Sequence, residues 1–337
     1  MDAELFPLAE DSAVSVLSGL GSYTLVASEP PWSSLAPLVR PPARLITPGN
    51  MELSALGSLL ADEPDTDVVV GLGGGLALDT AKYIAWKTGK RLVQILSVVS
   101  VDAGFTDAIG ARVDGKVTYV GSVVPEVVIL DIDLVRSAPA RLNRAGIGDV
   151  LSCHTGLFDW QLAASRGEGV PWDEKYAAPC RELLRDLAEY ASEIRIVTRD
   201  AVRWLVSAYR RIGGLSRAAG HSRFEEGSEH FLAYAYEHLN GGQQVHGELV
   251  SMCSVAVATL QRNDPETVRR IVTESGTRAN PTDLGIEKDA FIGSVTGLAE
   301  YVRSARLDFS IAQVAVLSRE VVHEMWESVT TLPRRGS

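Results

Sequence analysis

An α/β fold is predicted, with a parallel-sheet domain over residues 1–140 and an all-helical domain over residues 141–337. Three observations predict it. Short β-branched runs alternate with helical patterns through the first 135 residues. Such runs nearly vanish after Pro139, where long segments carry Ala, Leu, Glu and Arg at helical periods. Between these regimes the chain is long enough, at 337 residues, for two domains of average size or one large α/β domain.

Taken in order, Arg44–Thr47 reads as a strand and Met51–Ala61 as a helix with apolar residues at helical spacing. Asp67–Val70 is a strand running into Gly71-Leu72-Gly73-Gly74-Gly75, and Leu76–Trp86 reads as the helix that follows. Arg91–Val99 is a second buried strand and Val127–Leu130 closes the series. The boundary is placed near Pro139–Gly146. Helices are then expected over Tyr176–Thr198, Ala201–Ile212, Glu229–Leu239, Val245–Gln261, Asp289–Ala305 and Ile311–Val329, with a frayed tail at Pro333–Ser337.

Composition narrows the function. Apolar residues make up 46% and charged residues 22%, as in globular chains. Lys and Arg number 32 against 43 Asp and Glu, a net charge of −11, which argues against nonspecific binding to nucleic acid or to an anionic membrane. A small anionic ligand needs only a few local cations and stays open. Three cysteines, Cys153, Cys180 and Cys253, cannot all pair, and no C-x-x-C occurs. The opening Met1-Asp2-Ala3-Glu4 has no basic region, so no signal peptide is expected, and the longest apolar runs are strand-sized. A cytoplasmic protein without stable membrane insertion is expected, assembled as a homo-oligomer, dimer or larger.

The glycine turn has a physical use. Four glycines in five positions, after a strand and opening a helix, let backbone approach a pyrophosphate while free N–H groups and the helix dipole favour its charge. The strict G-x-G-x-x-G pattern of a Rossmann-like domain fails, because Leu76 holds its sixth position. A tight connection without a ligand is the alternative. Asp79 and Lys82 follow on one face of the new helix.

Six histidines lie in the chain, and two stand in suggestive settings. His230 falls in the first turn of a helix opened by Gly227-Ser228-Glu229, and His246 follows the break Asn240-Gly241-Gly242. Asp149, in Gly146-Ile147-Gly148-Asp149, offers a carboxylate whose flanking glycines would let backbone crowd a ligand. One Asp and two His suit a divalent metal with open coordination positions, although their spacings match no metal signature.

Together these pieces resemble the glycerol-1-phosphate dehydrogenase branch of the iron-containing alcohol dehydrogenase superfamily, which also holds glycerol dehydrogenases and dehydroquinate synthases. Gly73-Gly74-Gly75-Leu76-Ala77-Leu78-Asp79-Thr80-Ala81-Lys82 is similar to the family's GGGxxxDxxK, and Ser97-Val98-Val99-Ser100-Val101-Asp102-Ala103-Gly104 to its PTxxSxDG. Pro125–Asp131, Ala145–Asp149, Gly227–His230, His246-Gly247-Glu248 and Pro281–Ile286 follow in family order, over about residues 40 to 310.

The resemblance implies a dinucleotide-binding domain, a helical domain, and a cleft between them for nicotinamide, metal and alcohol. It assigns the metal to Asp149, His230 and His246, commonly zinc in this branch and iron or nickel in relatives. NAD or NADP would lie on Gly73, Gly74, Gly75 and Asp79, with Ser97, Ser100 and Asp102 near nicotinamide and substrate. The reaction implied is hydride transfer between the nicotinamide and a small polyol or ketone, phosphorylated or not. A bound water or Asp102 would relay the proton.

Departures bear on the substrate. Leu96-Ser97 replaces the family's Pro-Thr and keeps the hydroxyl. Ser222-Arg223-Phe224-Glu225-Glu226 carries an aromatic and two carboxylates where the phosphate-using branch has proline and small residues. Facing the pocket, Glu225 and Glu226 would repel a substrate phosphate; facing solvent at a helix N-terminus, they would be favourable. The alternatives are the same chemistry on another alcohol in a specialised pathway, a dehydroquinate synthase-like cyclising lyase, or a non-catalytic protein retaining the fold. Lys82 and the lack of an SxxGGKxGxN loop count against the lyase.

Overall fold

Strands form where β-branched residues can be covered on both faces. The computed structural model describes residues 6–335 apart from positions 63 and 243. The opening Met1–Glu4 and the last two residues of the expected tail therefore lie outside the described residues. The strands are β1 (Leu8–Glu10), β2 (Tyr23–Ala27), β3 (Arg44–Ile46), β4 (Val68–Gly73), β5 (Arg91–Leu96), β6 (Ala108–Val113), β7 (Lys116–Ser122) and β8 (Val127–Leu130). Helices among them are α1 (Ala13–Gly19), α2 (Glu29–Leu35), α3 (Leu53–Ser58), α4 (Gly75–Thr88), α5 (Ile132–Ser137) and α6 (Ala140–Ala145).

Six strands make one parallel sheet in the order β1-β8-β5-β4-β2-β3, and β6 and β7 form a separate antiparallel hairpin. Leu25, Val70, Leu72, Val93 and Ile95 point to one face, where Leu17 and Trp32 cover them. Val26, Val69 and Leu92 point to the other, under Ala77, Ala81 and Ile84 of α4. Burial on both faces is the condition under which an all-parallel sheet is stable.

The remaining helices are α7 (Ile147–Leu151), α8 (Cys153–Ser165), α9 (Glu174–Arg195), α10 (Arg199–Ala219), α11 (Ser228–Asn240), α12 (His246–Gln261), α13 (Pro265–Ser275), α14 (Pro281–Leu284), α15 (Lys288–Ala305) and α16 (Arg319–Thr330). The segment expected as one helix over 311–329 is instead a short 3-10 turn, Ile311–Gln313, and α16. Ser318 starts α16 by accepting from the Val321 N–H.

Contacts divide the chain into two units. The first is residues up to Asn143 together with Val202–Ala218, and the second is Arg144–Ala201 with everything from Ala219 onward. The middle of α10 thus belongs to the first unit. A Cβ on Gly213 would lie 1.7 Å from the Phe105 carbonyl oxygen, the Tyr209 hydroxyl donates to the Val99 carbonyl at 3.1 Å, and Arg210 Nε donates to that of Phe6 at 2.6 Å. In the second unit α12, buried from Gly247 to Ala258, packs against α7, α8, α11, α13 and α16. No helix among the described residues is long and apolar enough to cross a membrane.

Candidate metal centre and glycine turn

Three helix starts bring one carboxylate and two imidazoles together in the second unit. Asp149 lies in the first turn of α7, His230 in the first turn of α11, and His246 opens α12. Their ligand atoms all lie within 4.8 Å of one another. Asp149 Oδ1 is 3.4 Å from His246 Nε2 and 3.8 Å from His230 Nε2. Asp149 and His230 are buried, while 31% of the His246 side chain is exposed, so the cluster is reachable from that residue.

Backbone closeness makes this convergence possible. A Cβ on Gly148 would lie 2.7 Å from the Gly247 carbonyl oxygen and 2.8 Å from Gly247 Cα. Gly148 therefore crowds another backbone. Glycine against glycine lets α7 and α12 touch, and their next and preceding residues are Asp149 and His246.

A buried carboxylate orients His230. Glu229 Oε1 accepts from the Gly227 N–H at 2.7 Å and lies 2.9 Å from His230 Nδ1, while Oε2 accepts from Thr155 Oγ1 at 2.7 Å. A carboxylate only accepts, so His230 Nδ1 carries a hydrogen, which leaves Nε2, on the Asp149 side, as the nitrogen that gives up its proton to a metal. Burial would raise the Asp149 carboxyl and lower the His230 imidazole. Its neighbours outweigh it: the imidazoles of His230 and His246 hold Asp149 below the usual carboxylate range, and the carboxylates of Asp149 and Glu229 hold His230 well above the usual imidazole range. A place that favours positive charge among one oxygen and two nitrogen donors fits a divalent cation.

The other four histidines go elsewhere. His154 Nε2 bonds the Asn263 carbonyl, His221 packs among Trp160, Tyr176 and Phe224, His238 lies against Tyr301, and His323 faces Glu327. Glu225 and Glu226 part company, so neither a shared pocket nor a shared solvent face describes them. Glu225 is buried. Glu226 is half-buried and accepts from Ser222 Oγ at 3.0 Å and from the Tyr234 hydroxyl at 3.1 Å. The Tyr234 ring centroid lies 5.9 Å from that of His230 and 6.5 Å from that of His246. Sequence reasoning missed Glu229, Tyr234, Thr155 and Asp159. Glu229 stood inside a quoted motif, and Tyr234 is one helical turn beyond His230. Thr155 and Asp159 carry no local signal.

In the first unit the chain runs outward from β2 to β3 and the opposite way from β4 to β5, which leaves a crevice beyond their carboxyl ends. The glycine turn occupies it. Cβ atoms at Gly73, Gly74 and Gly75 would meet Ser28 Oγ at 2.5 Å, Val98 Cγ1 at 3.0 Å and Val101 Cγ1 at 2.9 Å. Packing alone thus requires glycine at Gly73 and Gly75. No side chain caps the N-terminus of α4, whose orphan N–H groups suit an anion. The Ser97 N–H donates to the Gly73 carbonyl, Ser100 Oγ is 3.5 Å from a Cβ on Gly74, and Asp102 precedes the short turn Ala103–Phe105. Asp79 pairs with Lys82 at 2.8 Å, and Lys82 is fully buried, bonding Thr106 Oγ1 at 2.8 Å and the Ala108 carbonyl at 3.1 Å.

Comparison with known proteins places these features. The family described as iron-containing alcohol dehydrogenase matches residues 42–139. The glycerol-1-phosphate dehydrogenase [NAD(P)+] of Aeropyrum pernix is 30% identical over 94% of this chain and 92% of its own length. That of Hyperthermus butylicus is 34% identical over 71% of this chain and 68% of its own. Among solved structures, an iron-containing alcohol dehydrogenase from Corynebacterium glutamicum matches with a TM-score of 0.72 at 17% identity, covering 98% and 97% of the two chains. A glycerol dehydrogenase from Schizosaccharomyces pombe matches at 0.69 and 20%, covering 98% of each. At such identities the structures show the fold alone.

The chain belongs to the iron-containing alcohol dehydrogenase family. Within it the chain falls on the glycerol-1-phosphate dehydrogenase branch. It is an NAD(P)-linked oxidoreductase.

Proposed function

We propose that Asp149, His230 and His246 hold one divalent ion, and that the enzyme moves hydride between NAD(P) and a small polyol or its ketone. The convergence of three ligand atoms within 4.8 Å carries this reading. One carboxylate and two imidazoles suit zinc, iron or nickel, and the resemblance to the glycerol-1-phosphate dehydrogenase branch favours zinc. When bound, the ion polarises the substrate oxygen and the nicotinamide exchanges the hydride.

The chain's own residues do the rest. Asp149 supplies the negative charge that retains a dication, and Glu229 keeps His230 Nε2 free to bind by holding the hydrogen on Nδ1. Gly73, Gly74 and Gly75 bring backbone N–H groups to the cofactor's phosphates, with Asp79, fixed by Lys82, on the same helix. Ser97 and Ser100 stand beside that turn for the nicotinamide end. Asp102 follows Val101, which packs on Gly75, and is the proposed proton carrier in this loop. His246→Ala is the test. It removes a ligand and little core volume, so NAD(P)H-linked turnover should fall about a thousandfold. Metal content should fall with it, while circular dichroism stays unchanged. Full turnover with stoichiometric metal in the variant would refute the assignment.

A further inference from the structure

The two imidazoles of the cluster are held in different ways. His230 Nδ1 lies 2.9 Å from Glu229 Oε1, so a hydrogen bond fixes the plane of that ring. His246 has no such support. Its Nε2 lies 3.4 Å from Asp149 Oδ1, its Nδ1 has no hydrogen-bond partner among the described residues, and 31% of its side chain is exposed. A ring with no bond behind it can turn about two side-chain torsions, and each turn takes Nε2 away from a shared ion.

Tyr234 stands against that ring. It lies one helical turn beyond His230 on α11, which packs against α12, the helix that His246 opens. Its ring centroid is 6.5 Å from that of His246 with the planes 22° apart, and 5.9 Å from that of His230 at 51°. The two imidazoles are themselves 5.3 Å apart. The phenol is buried, and its hydroxyl donates to Glu226 Oε1 at 3.1 Å. Glu226 Oε2 in turn accepts from Ser222 Oγ at 3.0 Å. The Tyr234 ring is thus tied at one end by its helix and at the other by a carboxylate that is itself held.

We infer that Tyr234 is the residue that positions His246 for metal binding, doing by ring packing what Glu229 does for His230 by a hydrogen bond. The inference rests on the proposed reading of Asp149, His230 and His246 as one metal site. Offset aromatic rings at these separations attract beyond the area they bury. The Tyr234 ring therefore favours the rotamer in which His246 Nε2 faces Asp149 and narrows that ring's freedom before an ion arrives. Less order then has to be gained on binding, and affinity rises by that difference. The hydroxyl of Tyr234 is engaged by Glu226, so what this residue gives His246 is its ring, which phenylalanine also has.

The test measures zinc affinity by chelator competition in the wild type, Tyr234→Phe and Tyr234→Leu, with circular dichroism as the check on folding. Tyr234→Leu keeps an apolar side chain and removes the ring, so it should bind zinc about three- to tenfold more weakly. Tyr234→Phe should stay within about twofold of the wild type. With cobalt in place of zinc, visible absorption should change in Tyr234→Leu and not in Tyr234→Phe, because a loosened imidazole alters the geometry at the ion and a general loss of stability does not. A second measurement needs neither metal nor a ring deletion. In the metal-free wild type, nuclear Overhauser contacts should join the ring protons of His246 to those of Tyr234. Their absence overturns the inference, as does a folded Tyr234→Leu protein with wild-type zinc affinity. Should Tyr234→Leu fail to fold, the Overhauser contacts decide alone. A wild type that binds no zinc would count against the reading of the cluster, and the same contacts would still show whether Tyr234 orients His246.

Discussion

At the residue scale, the acids behind the ligands matter as much as the ligands. Glu229 takes three donors, from Gly227, His230 and Thr155, with no exposure to water. Replacing it by Ala leaves those donors without their acceptor and frees the His230 ring to turn. Metal affinity should drop about 10–100-fold, measured by competition with a chelator, and Glu229→Gln should recover part of the loss. Asp159 is the second buried acid. It accepts from the Ser228 and Ile311 N–H groups at 2.7 and 2.8 Å. Burial first, and then the charge of Glu229, push its carboxyl up to about 6 from 3.8. The folded protein thus binds a proton there that the unfolded chain has released. The stability this adds is full below about pH 4 and is lost as pH rises through about 6, a difference on the order of 2–3 kcal/mol. Urea unfolding should show wild type gaining on Asp159→Asn as pH falls from 7 to 4; a constant difference would mean that Asp159 does not titrate as stated. Neither acid was legible in advance, because both act through atoms brought together across some 70 positions of sequence.

At the scale of elements, glycines decide which helices can touch. Gly148→Ala would drive a methyl into the Gly247 backbone, part α7 from α12, and draw Asp149 away from His246. The expected cost is about 1–3 kcal/mol in unfolding free energy, together with weaker metal retention on dialysis. Unchanged values of both would show that the two helices have room to spare. Elements are also where sequence reading succeeded and failed most visibly. β3, β4, β5 and β8 stood out because their β-branched runs are bounded by turn residues. β1, of three residues, is too short to leave a pattern. The β6–β7 hairpin had a signal that went unread. Asp114-Gly115 joins its strands with φ of 54° and 71°, the left-handed pair that a two-residue hairpin turn demands. Helix starts and flanking glycines suggested Asp149, His230 and His246 and the resemblance joined them, but their spacings reveal nothing until α7, α11 and α12 are packed.

At the scale of the whole molecule, the contacts change hands between Asn143 and Arg144, and a single cut does not describe the chain. Val202–Ala218 returns to complete the first unit, with Gly213 against Phe105, Tyr209 on Val99 and Arg210 on Phe6. A helix read from periodicity alone gives no hint of which neighbour it will choose. A fragment ending at Asn143 should consequently bind hydrophobic dyes and aggregate, and addition of a peptide spanning 199–219 should reduce both; a monomeric, cooperatively melting fragment would contradict this. The same arrangement orders events during synthesis. The sheet is synthesised first, and about 60 further residues must be translated before Val202–Ala218 follows, a delay of seconds at roughly 5–20 residues per second. For that interval Phe6, Val99 and Phe105 lack the helix that packs on them, and shielding by a chaperone is worth most to this protein at that moment.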